Sequence, residues 1–236
     1  MATGHYARRA FDEATGRWQL LRARDAAKDQ SYVLYHLTQD SLAHMVFPLG
    51  DLTKPEVRAL ARTHGFGNAE KAESQDICFV PDGDYAAFIE RRCGRGGAFE
   101  PGEIVNRAGT VLGEHKGLVH YTIGQRKGIG VAAPEPLYVF AKDAAANRLV
   151  VGGAVEVQVR EIRAHDVNLI ADERIEAPRA VTVKTHYRQR PVAAMVEQTG
   201  DDELRVVFDE PQRAVAPGQA VVLYDGDVVV GGGTIC

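Results

Sequence analysis

Apolar and polar residues follow two different periodicities along the chain, and the first changes to the second near residue 94. Before it, Val57, Leu60 and Ala61 recur at helical spacing behind a cap candidate at Thr53, which predicts a helix that ends at Gly65. The pattern also predicts a hairpin of 3–10 with 17–24, and helices over 29–37, 40–46 and 82–92. The first part of the chain is therefore predicted to be mixed α/β.

After the breaker Gly94–Gly97, apolar residues alternate in short segments separated by Gly, Asn, Asp and Pro. Strands at such regular spacing are typical of a small β unit followed by a β-barrel. We expect an N-terminal α/β part over 1–81, a central β-rich domain over 82–157 and a C-terminal antiparallel β-barrel over 158–236. The strand candidates are 103–106, 110–113, 137–142, 148–151, 155–164, 180–187, 192–198, 203–208, 220–224 and 227–231.

Composition narrows the classes of protein. The 236 residues are 45% hydrophobic and 25% charged, as in ordinary globular chains, and contain neither a bilayer-length apolar run nor a secretory signal. Three cysteines at irregular spacing predict no disulfide framework or metal site, and favour the cytoplasm. A net charge of −4 argues weakly against a nucleic-acid partner, but binding depends on local clusters of basic residues rather than on the net charge. The basic clusters are Arg22, Arg24 and Lys28; Arg126 and Lys127; and Lys184, Arg188 and Arg190.

Cys78 lies between a polar, acidic run and an apolar run, in Glu73–Val80. A lone thiol at such a junction is a candidate nucleophile or sulfur carrier, although simple packing of a buried cysteine explains this window better. Neighbouring carboxylates such as Asp76 raise a thiol pKa and disfavour a pre-ionised nucleophile. A sulfur carrier needs less activation, because a persulfide is more acidic than its parent thiol.

Three segments are candidates for contact with nucleic acid. The glycine-rich segment His120–Gly130 places Arg126 and Lys127 among glycines that permit positive φ, but its spacing is neither a P-loop nor a dinucleotide fingerprint. Lys28–Ser31 stands at a predicted helix start, where Gln30 could read a base edge. Lys184–Arg190 combines Tyr187 with several cations. A solvated loop, a helix cap and a solvated strand are the simpler interpretations.

Taken together, these segments resemble the tRNA-specific 2-thiouridylase (MnmA) family, from end to end of the chain and in family order. The most specific stretches are Ile123-Gly-Gln-Arg-Lys-Gly128 and Ile77-Cys-Phe79. The others are Ala2–Ala7, Lys28–Tyr32, Phe47–Arg58, Gly117–Thr122, Val183–Gln189, Phe208–Pro211, Ala216–Ala220 and Gly231–Gly233.

The resemblance implies an ATP-pyrophosphatase domain remnant (adenine nucleotide alpha-hydrolase-like), a small central β domain and a C-terminal β-barrel. It implies that ATP and Mg²⁺ adenylate the wobble uridine of tRNA at the oxygen on carbon 2. A persulfide sulfur, supplied by a donor protein, then replaces that oxygen. Cys78 matches the persulfide-bearing cysteine and Gly4 an ATP-contacting position. The positions that match tRNA contacts are His5, Lys28, Asp29, Gln30, His186, Tyr187 and Gln219.

The chain also departs from the family pattern. The nucleotide-binding loop and the first catalytic cysteine have no counterpart, so we expect a C-terminal portion that is inactive by itself, with Cys78 as one half of a catalytic pair. His186 stands where the family often has Arg, which weakens the case for a charged phosphate contact there. A non-catalytic tRNA-binding module is the alternative. A cysteine hydrolase is the third hypothesis, and the sequence shows no Cys/His signature to support it.

Overall fold

A computed structural model describes residues 1–67, 69–70, 80, 84–94, 96–213 and 215–236. Cys78, the predicted sulfur carrier, lies outside the described residues. Contacts divide the chain into two units. The first comprises residues 1–71, 160–211 and 217–236, and the second comprises 72–159 and 212–216. The first unit therefore joins the start of the chain to its C-terminal part.

The first unit opens with the predicted hairpin, which is confirmed. Strands β1 (Ala7–Asp12) and β2 (Arg17–Arg22) are antiparallel, with Ala7 opposite Arg22 and Asp12 opposite Arg17. The turn closes through the Gly16 N–H, which donates to the Asp12 carbonyl at 2.8 Å, and Gly16 takes a φ of 68°. A positive φ is why this turn ends in glycine.

Two helices follow the hairpin as the pattern predicts. Helix α1 (Gln39–His44) begins at Thr38, whose side chain accepts from the Ser41 N–H at 3.2 Å. Helix α2 (Lys54–Thr63) begins at Thr53, whose N–H and hydroxyl both donate to the Glu56 carboxylate, at 2.6 and 2.8 Å. A Glu three residues after a Thr cap satisfies amides that the helix itself leaves free.

The prediction of a helix over 29–37 is wrong. Only a 3₁₀ turn forms there, Ser31–Leu34. Two sets of hydrogen bonds compete with a longer helix. The Asp29 carboxylate accepts from the Ser31 N–H and hydroxyl, and the Asn168 side-chain amide donates to the carbonyls of Tyr35 and Leu37 at 2.7 and 3.1 Å. Local side-chain bonds and a distant strand therefore take the groups that an α-helix needs.

The second unit carries one helix and one small sheet. Helix α3 (Tyr85–Cys93) begins at Asp84, whose side chain accepts from the Ala87 N–H, and the 3₁₀ turns are Gly97–Phe99 and Leu118–His120. Its sheet has the order β4-β3-β6-β5, with β3 and β6 parallel and the other pairs antiparallel. These strands are β3 (Gly102–Asn106), β4 (Val111–His115), β5 (Tyr138–Asp143) and β6 (Arg148–Gly152). The predicted central β unit is confirmed.

The C-terminal strands close into the predicted antiparallel barrel. Their order is β12-β11-β8-β9-β10-β7, and β7 pairs again with β12, which makes a closed six-stranded barrel. The strands are β7 (Val159–Leu169), β8 (Arg179–Lys184), β9 (Val192–Gly200), β10 (Glu203–Gln212), β11 (Ala220–Asp225) and β12 (Val228–Ile235). The strand predicted over 155–164 begins and ends later, as β7.

The N-terminal hairpin is an extension of the barrel sheet. Strand β2 pairs with β12, with Leu20 opposite Val229, and the 3₁₀ turn packs into the same apolar core. That core consists of Ala7, Leu20, Tyr32, Leu34, Leu42, Phe47, Ile170, Val222, Tyr224 and Val229. Segments far apart in the sequence are thereby fixed against one another. In the described part of the chain, no helix has the length and apolar content needed to cross a bilayer.

Gly232 is required where β12 closes the barrel. A Cβ at this position would lie 2.4 Å from the Val221 carbonyl oxygen and 2.8 Å from the Tyr35 ring. We expect Gly232→Ala to lower the free energy of unfolding by about 1–3 kcal/mol, as overpacking does, in urea unfolding followed by circular dichroism. Gly200→Ala is the matched control, since its Cβ would meet only the Glu203 side chain at 3.6 Å. Equal stability of the two variants would contradict this role.

Candidate nucleic-acid interface

The segment Lys28–Gln30 is held from within by Asp29. Its Oδ1 accepts from the backbone N–H groups of Ala23 and Ser31, at 3.0 and 3.2 Å, and its Oδ2 accepts from the Ser31 hydroxyl at 2.9 Å. Ser31 is fully buried. The Asp29 side chain therefore shapes this segment, and both of its oxygens already accept hydrogen bonds from the protein.

Gln30 ties the same segment to the residues before β1. Its N–H donates to the Tyr6 carbonyl at 2.8 Å, and its Oε1 accepts from the Tyr6 N–H at 3.0 Å. Gly4 and His5 immediately precede Tyr6, so they lie beside this segment. Gly4 is exposed, and a Cβ there would meet only the Leu49 side chain at 3.9 Å; the His5 Nδ1 is 2.7 Å from the Thr3 hydroxyl.

A closed turn at the end of β8 presents His186 and Tyr187. Thr185 is fully buried, and its N–H and hydroxyl both donate to the Gln189 Oε1, at 2.5 and 2.9 Å. The Gln189 N–H donates back to the His186 carbonyl at 3.1 Å. His186 is left half-buried, whereas 41% of Tyr187 is exposed.

Lys184 and Tyr187 of the predicted segment Lys184–Arg190 form a cluster with Tyr32, the residue that directly follows Lys28–Ser31. We call these three side chains the tyrosine–lysine cluster. The ring centroids of Tyr32 and Tyr187 are 6.2 Å apart, and the Lys184 Nζ is 5.5 and 5.6 Å from them. The Tyr32 hydroxyl donates to the Ala220 carbonyl at 2.9 Å, which places the exposed Gln219 beside it. The structure thus links residues from four separate stretches of sequence by direct contacts.

Burial and neighbouring charges shift the pKa values of this cluster. Desolvation, with a smaller contribution from Tyr35, raises the pKa of Tyr32 to about 12. Desolvation lowers the pKa of Lys184, an effect that Asp29 opposes and Arg22 reinforces. The pKa of His186 is lowered by desolvation and then by Lys184, and that of Tyr187 is raised mainly by desolvation. The neutral form of His186 therefore predominates at neutral pH.

A second cation lies beneath the cluster. The Arg22 guanidinium carbon is 4.1 Å from the centre of the Tyr224 ring, a cation–π distance. The Arg22 Nε and Nη2 are buried and have no hydrogen-bond partner among the described residues. The Tyr224 hydroxyl is 3.4 Å from the Ser31 hydroxyl, and desolvation raises its pKa. The charge of Arg22 acts on Lys184, so two cations lie close to each other at this site.

The glycine-rich segment belongs to the second unit and is held by hydrogen bonds of Gln125. Gly124, Gly128 and Gly130 have φ values of 82°, 76° and 87°, as their sequence pattern predicts. The Gln125 Oε1 accepts from the Thr122 N–H, and its Nε2 donates to the Lys127 carbonyl, each at 2.9 Å. The side chains of Arg126 and Lys127 are exposed. Among the described residues, no group of three His, Cys, Asp or Glu side chains could hold a metal ion.

Sequence reasoning did not assign three residues that build this site: Tyr32, Arg22 and Tyr224. Tyr32 follows the Lys28–Ser31 segment directly, and Arg22 stands in a basic cluster. No signal in Tyr224 distinguishes it from any apolar strand residue. What joins them is the β2–β12 pairing and the shared core, which no local pattern shows.

Three domain models match the chain in consecutive stretches. They are the tRNA methyl transferase HUP domain over residues 1–82, the tRNA methyl transferase PRC-barrel domain over 87–153 and the aminomethyltransferase β-barrel domain over 159–235. The predicted fold class, an α/β fragment followed by a central β domain and a C-terminal barrel, is confirmed. The chain has the domain composition of a tRNA-modification protein of the HUP class.

Relatives that match the entire chain identify the family. The chain is 51% identical to the tRNA-specific 2-thiouridylase MnmA of Koribacter versatilis, 49% identical to that of Moorella thermoacetica and 46% identical to that of Acetivibrio thermocellus. Each comparison covers 100% of this chain and 65% of the relative, so the chain spans about two thirds of the length of these relatives. The chain belongs to the MnmA family of tRNA-specific 2-thiouridylases.

Proposed function

We propose that this chain is the tRNA-contacting and sulfur-carrying portion of a tRNA 2-thiouridylase. In the whole protein, ATP with Mg²⁺ adenylates the oxygen on carbon 2 of the wobble uridine, and pyrophosphate leaves. The outer sulfur of a persulfide on Cys78 then attacks carbon 2, and AMP leaves with the original oxygen. A second thiol, not assigned to a residue of this chain, attacks the Cys78 sulfur, so that the sulfur–sulfur bond breaks, the thiolated uridine is released and a disulfide to Cys78 remains. A thiol reductant opens that disulfide, and a persulfide donor protein reloads the cysteine. The division at residues 81 and 157 stays part of this proposal.

One observation supports the tRNA interface above all. Lys28–Gln30 and His186–Tyr187 are more than 150 positions apart in the sequence, yet the charges of Asp29 and Lys28 act on the Tyr187 hydroxyl, and the ring centroids of Tyr187 and Tyr32 are 6.2 Å apart. The exposed ring of Tyr187 is suited to stacking on a base. Lys28 adds a positive charge for phosphate. Convergence of both segments is expected of an extended RNA-binding surface and is unnecessary for two unrelated solvated loops.

The residues of this surface have different parts in the proposal. Asp29 shapes the segment, because its oxygens accept bonds from Ala23 and Ser31. The Gln30 Oε1 accepts a hydrogen bond from the Tyr6 N–H. In this proposal, the Gln30 Nε2 donates to a base. His5 and Gln219 flank the cluster and are proposed as further tRNA contacts.

The described residues around Gly4 do not form a phosphate cradle of their own. Gly4 is exposed and makes no close approach to surrounding backbone. In this proposal, Gly4 contributes one backbone contact to ATP. The groups that bind the triphosphate and Mg²⁺ are not assigned to residues of this chain.

Binding and sulfur uptake together test the proposal against the alternative of a non-catalytic tRNA-binding module. The purified chain is titrated with a tRNA that carries a wobble uridine and is separately treated with a persulfide donor. Both activities are expected. Binding without sulfur at Cys78 would favour the module, and absence of binding would refute the proposed interface.

His186 supplies a pH-dependent prediction. Its lowered pKa means that the unfolded chain takes up the proton first, so protonation reduces stability as pH falls below about 6.5. A bound phosphate favours the protonated form, so wild-type binding should tighten as pH falls through this pKa. His186→Arg should bind tRNA more tightly at pH 7.5, by about 1 kcal/mol, with a salt slope steeper by about one.

His186→Gln is the matched control for this prediction, because it keeps a polar side chain but cannot titrate. Filter binding at several salt concentrations and pH values measures all three proteins. Loss of the pH dependence in both variants, with tighter binding at pH 7.5 in His186→Arg alone, is the expected pattern, and His186→Gln isolates the contribution of the titration. An unchanged pH profile in that variant would contradict the assignment to His186.

A further inference from the structure

Lys184 is a cation in a place that is costly for it. Only 8% of the residue is exposed, and desolvation lowers the pKa of its ammonium. Burial of an ammonium is unfavourable, and Lys is rarely buried. Arg22 adds repulsion from behind. Stability alone gives no reason for a lysine at the end of β8.

The contacts of the ammonium indicate what offsets this cost. The Lys184 Nζ is 5.5 Å from the Tyr32 ring centre and 5.6 Å from that of Tyr187, within the range of a cation–π interaction. The Asp29 carboxylate attracts the same charge. Lys184 therefore connects the segment shaped by Asp29 with the exposed ring of Tyr187.

Tyr187 would otherwise be free to change rotamer, because it stands on a turn and 41% of it is exposed. Tyr32 cannot follow such a movement, since it is 6% exposed and its hydroxyl is bonded to the Ala220 carbonyl. Lys184 between the two rings gives Tyr187 a fixed partner. A ring that is fixed before binding loses less entropy when a base stacks on it.

We propose that Lys184 is a positioning residue: its ammonium, held between Tyr32 and Tyr187, fixes the Tyr187 ring as a stacking platform for a base of the tRNA. The inference rests on the proposed function and extends it to a residue that does not itself touch the RNA. It requires that Lys184 act through Tyr187 and that its charge serve binding rather than folding.

A double-mutant cycle tests this dependence. Lys184→Met should weaken tRNA binding by about threefold to thirtyfold, the range of a partly desolvated cation–π contact. The same change in a Tyr187→Ala background should alter binding by less than about twofold, because residues that act through one contact are not additive. Lys184→Arg keeps the cation and should stay within about threefold of wild type.

Two further readouts separate positioning from a structural or phosphate-binding role. The melting temperature of Lys184→Met should equal or exceed that of wild type, since the desolvation cost of a largely buried ammonium is removed. The salt slope of binding should not change, whereas loss of a phosphate contact lowers it by about one.

The outcomes are distinct. The positioning role is overturned if the effects of the two substitutions are additive and the melting temperature falls. It is also overturned if Lys184→Met binds like the wild type while Tyr187→Ala is impaired. Either result leaves the tRNA interface standing. A normal affinity in Tyr187→Ala also overturns it, because there is then no platform to position. Failure of the wild-type chain to bind a wobble-uridine tRNA overturns the proposed function itself.

Discussion

Replacement of Cys78 by serine is expected to abolish persulfide formation on the chain. A persulfide requires a sulfur–sulfur bond to the side chain, and a serine hydroxyl cannot replace the attacking thiolate in the exchange with a donor. We expect the wild-type chain to gain the mass of one sulfur atom on the peptide that contains Cys78, and the Cys78→Ser protein to gain none there.

The other two cysteines provide matched controls for this experiment. Cys236 is exposed and free, and Cys93 ends α3. Cys93→Ser and Cys236→Ser should therefore keep the sulfur on Cys78 after treatment with a cysteine desulfurase and cysteine. Intact-mass and peptide mass spectrometry measure all four proteins. Sulfur found on Cys236 alone would refute the assignment, because exposure rather than the Cys78 surroundings would then explain the uptake.

Tyr187→Ala is expected to give the largest loss of tRNA affinity on the proposed surface, about 1–3 kcal/mol, because it removes a base-stacking ring. Its salt slope should stay that of the wild type. Lys28→Ala should bind more weakly with a slope reduced by about one, the signature of a lost phosphate contact. Equilibrium binding at several salt concentrations distinguishes the two kinds of contact.

Tyr85→Ala is the matched control, since Tyr85 is 52% exposed and begins α3 in the other unit. It should bind tRNA like the wild type. Unchanged affinity in both Tyr187→Ala and Lys28→Ala would refute the proposed surface. A loss equally large in Tyr85→Ala would show that exposed tyrosines affect binding without regard to place.

Local signals in the sequence predicted the elements that are stabilised locally. The β1–β2 hairpin has its turn glycine at Gly16, and α2 has its Thr53–Glu56 cap; both form as expected. The segment 29–37 has helical spacing but becomes a 3₁₀ turn, because Asn168 takes the carbonyls of Tyr35 and Leu37. A partner more than 130 positions away in the sequence cannot be read from a window of nine residues.

The candidate site divides in the same way. The family resemblance identified Lys28, Gln30, His186 and Tyr187 one by one. It did not predict that the segments carrying them lie close together in the fold. That depends on β2 pairing with β12 and on a core shared by the start and the end of the chain. The burial of Lys184 could not be predicted from the sequence either, since a lysine at the end of an alternating strand is usually exposed to solvent. Barrel closure decides which face of the strand is covered.

Hydrogen–deuterium exchange with and without a wobble-uridine tRNA tests the joint surface most directly. We expect tRNA to slow exchange in both peptides that carry the interface, residues 28–34 and 184–190, and Tyr187→Ala to reduce the protection in both. Protection of only one of these peptides, or of neither while the tRNA is bound, would contradict a single surface built from two segments that are distant in the sequence.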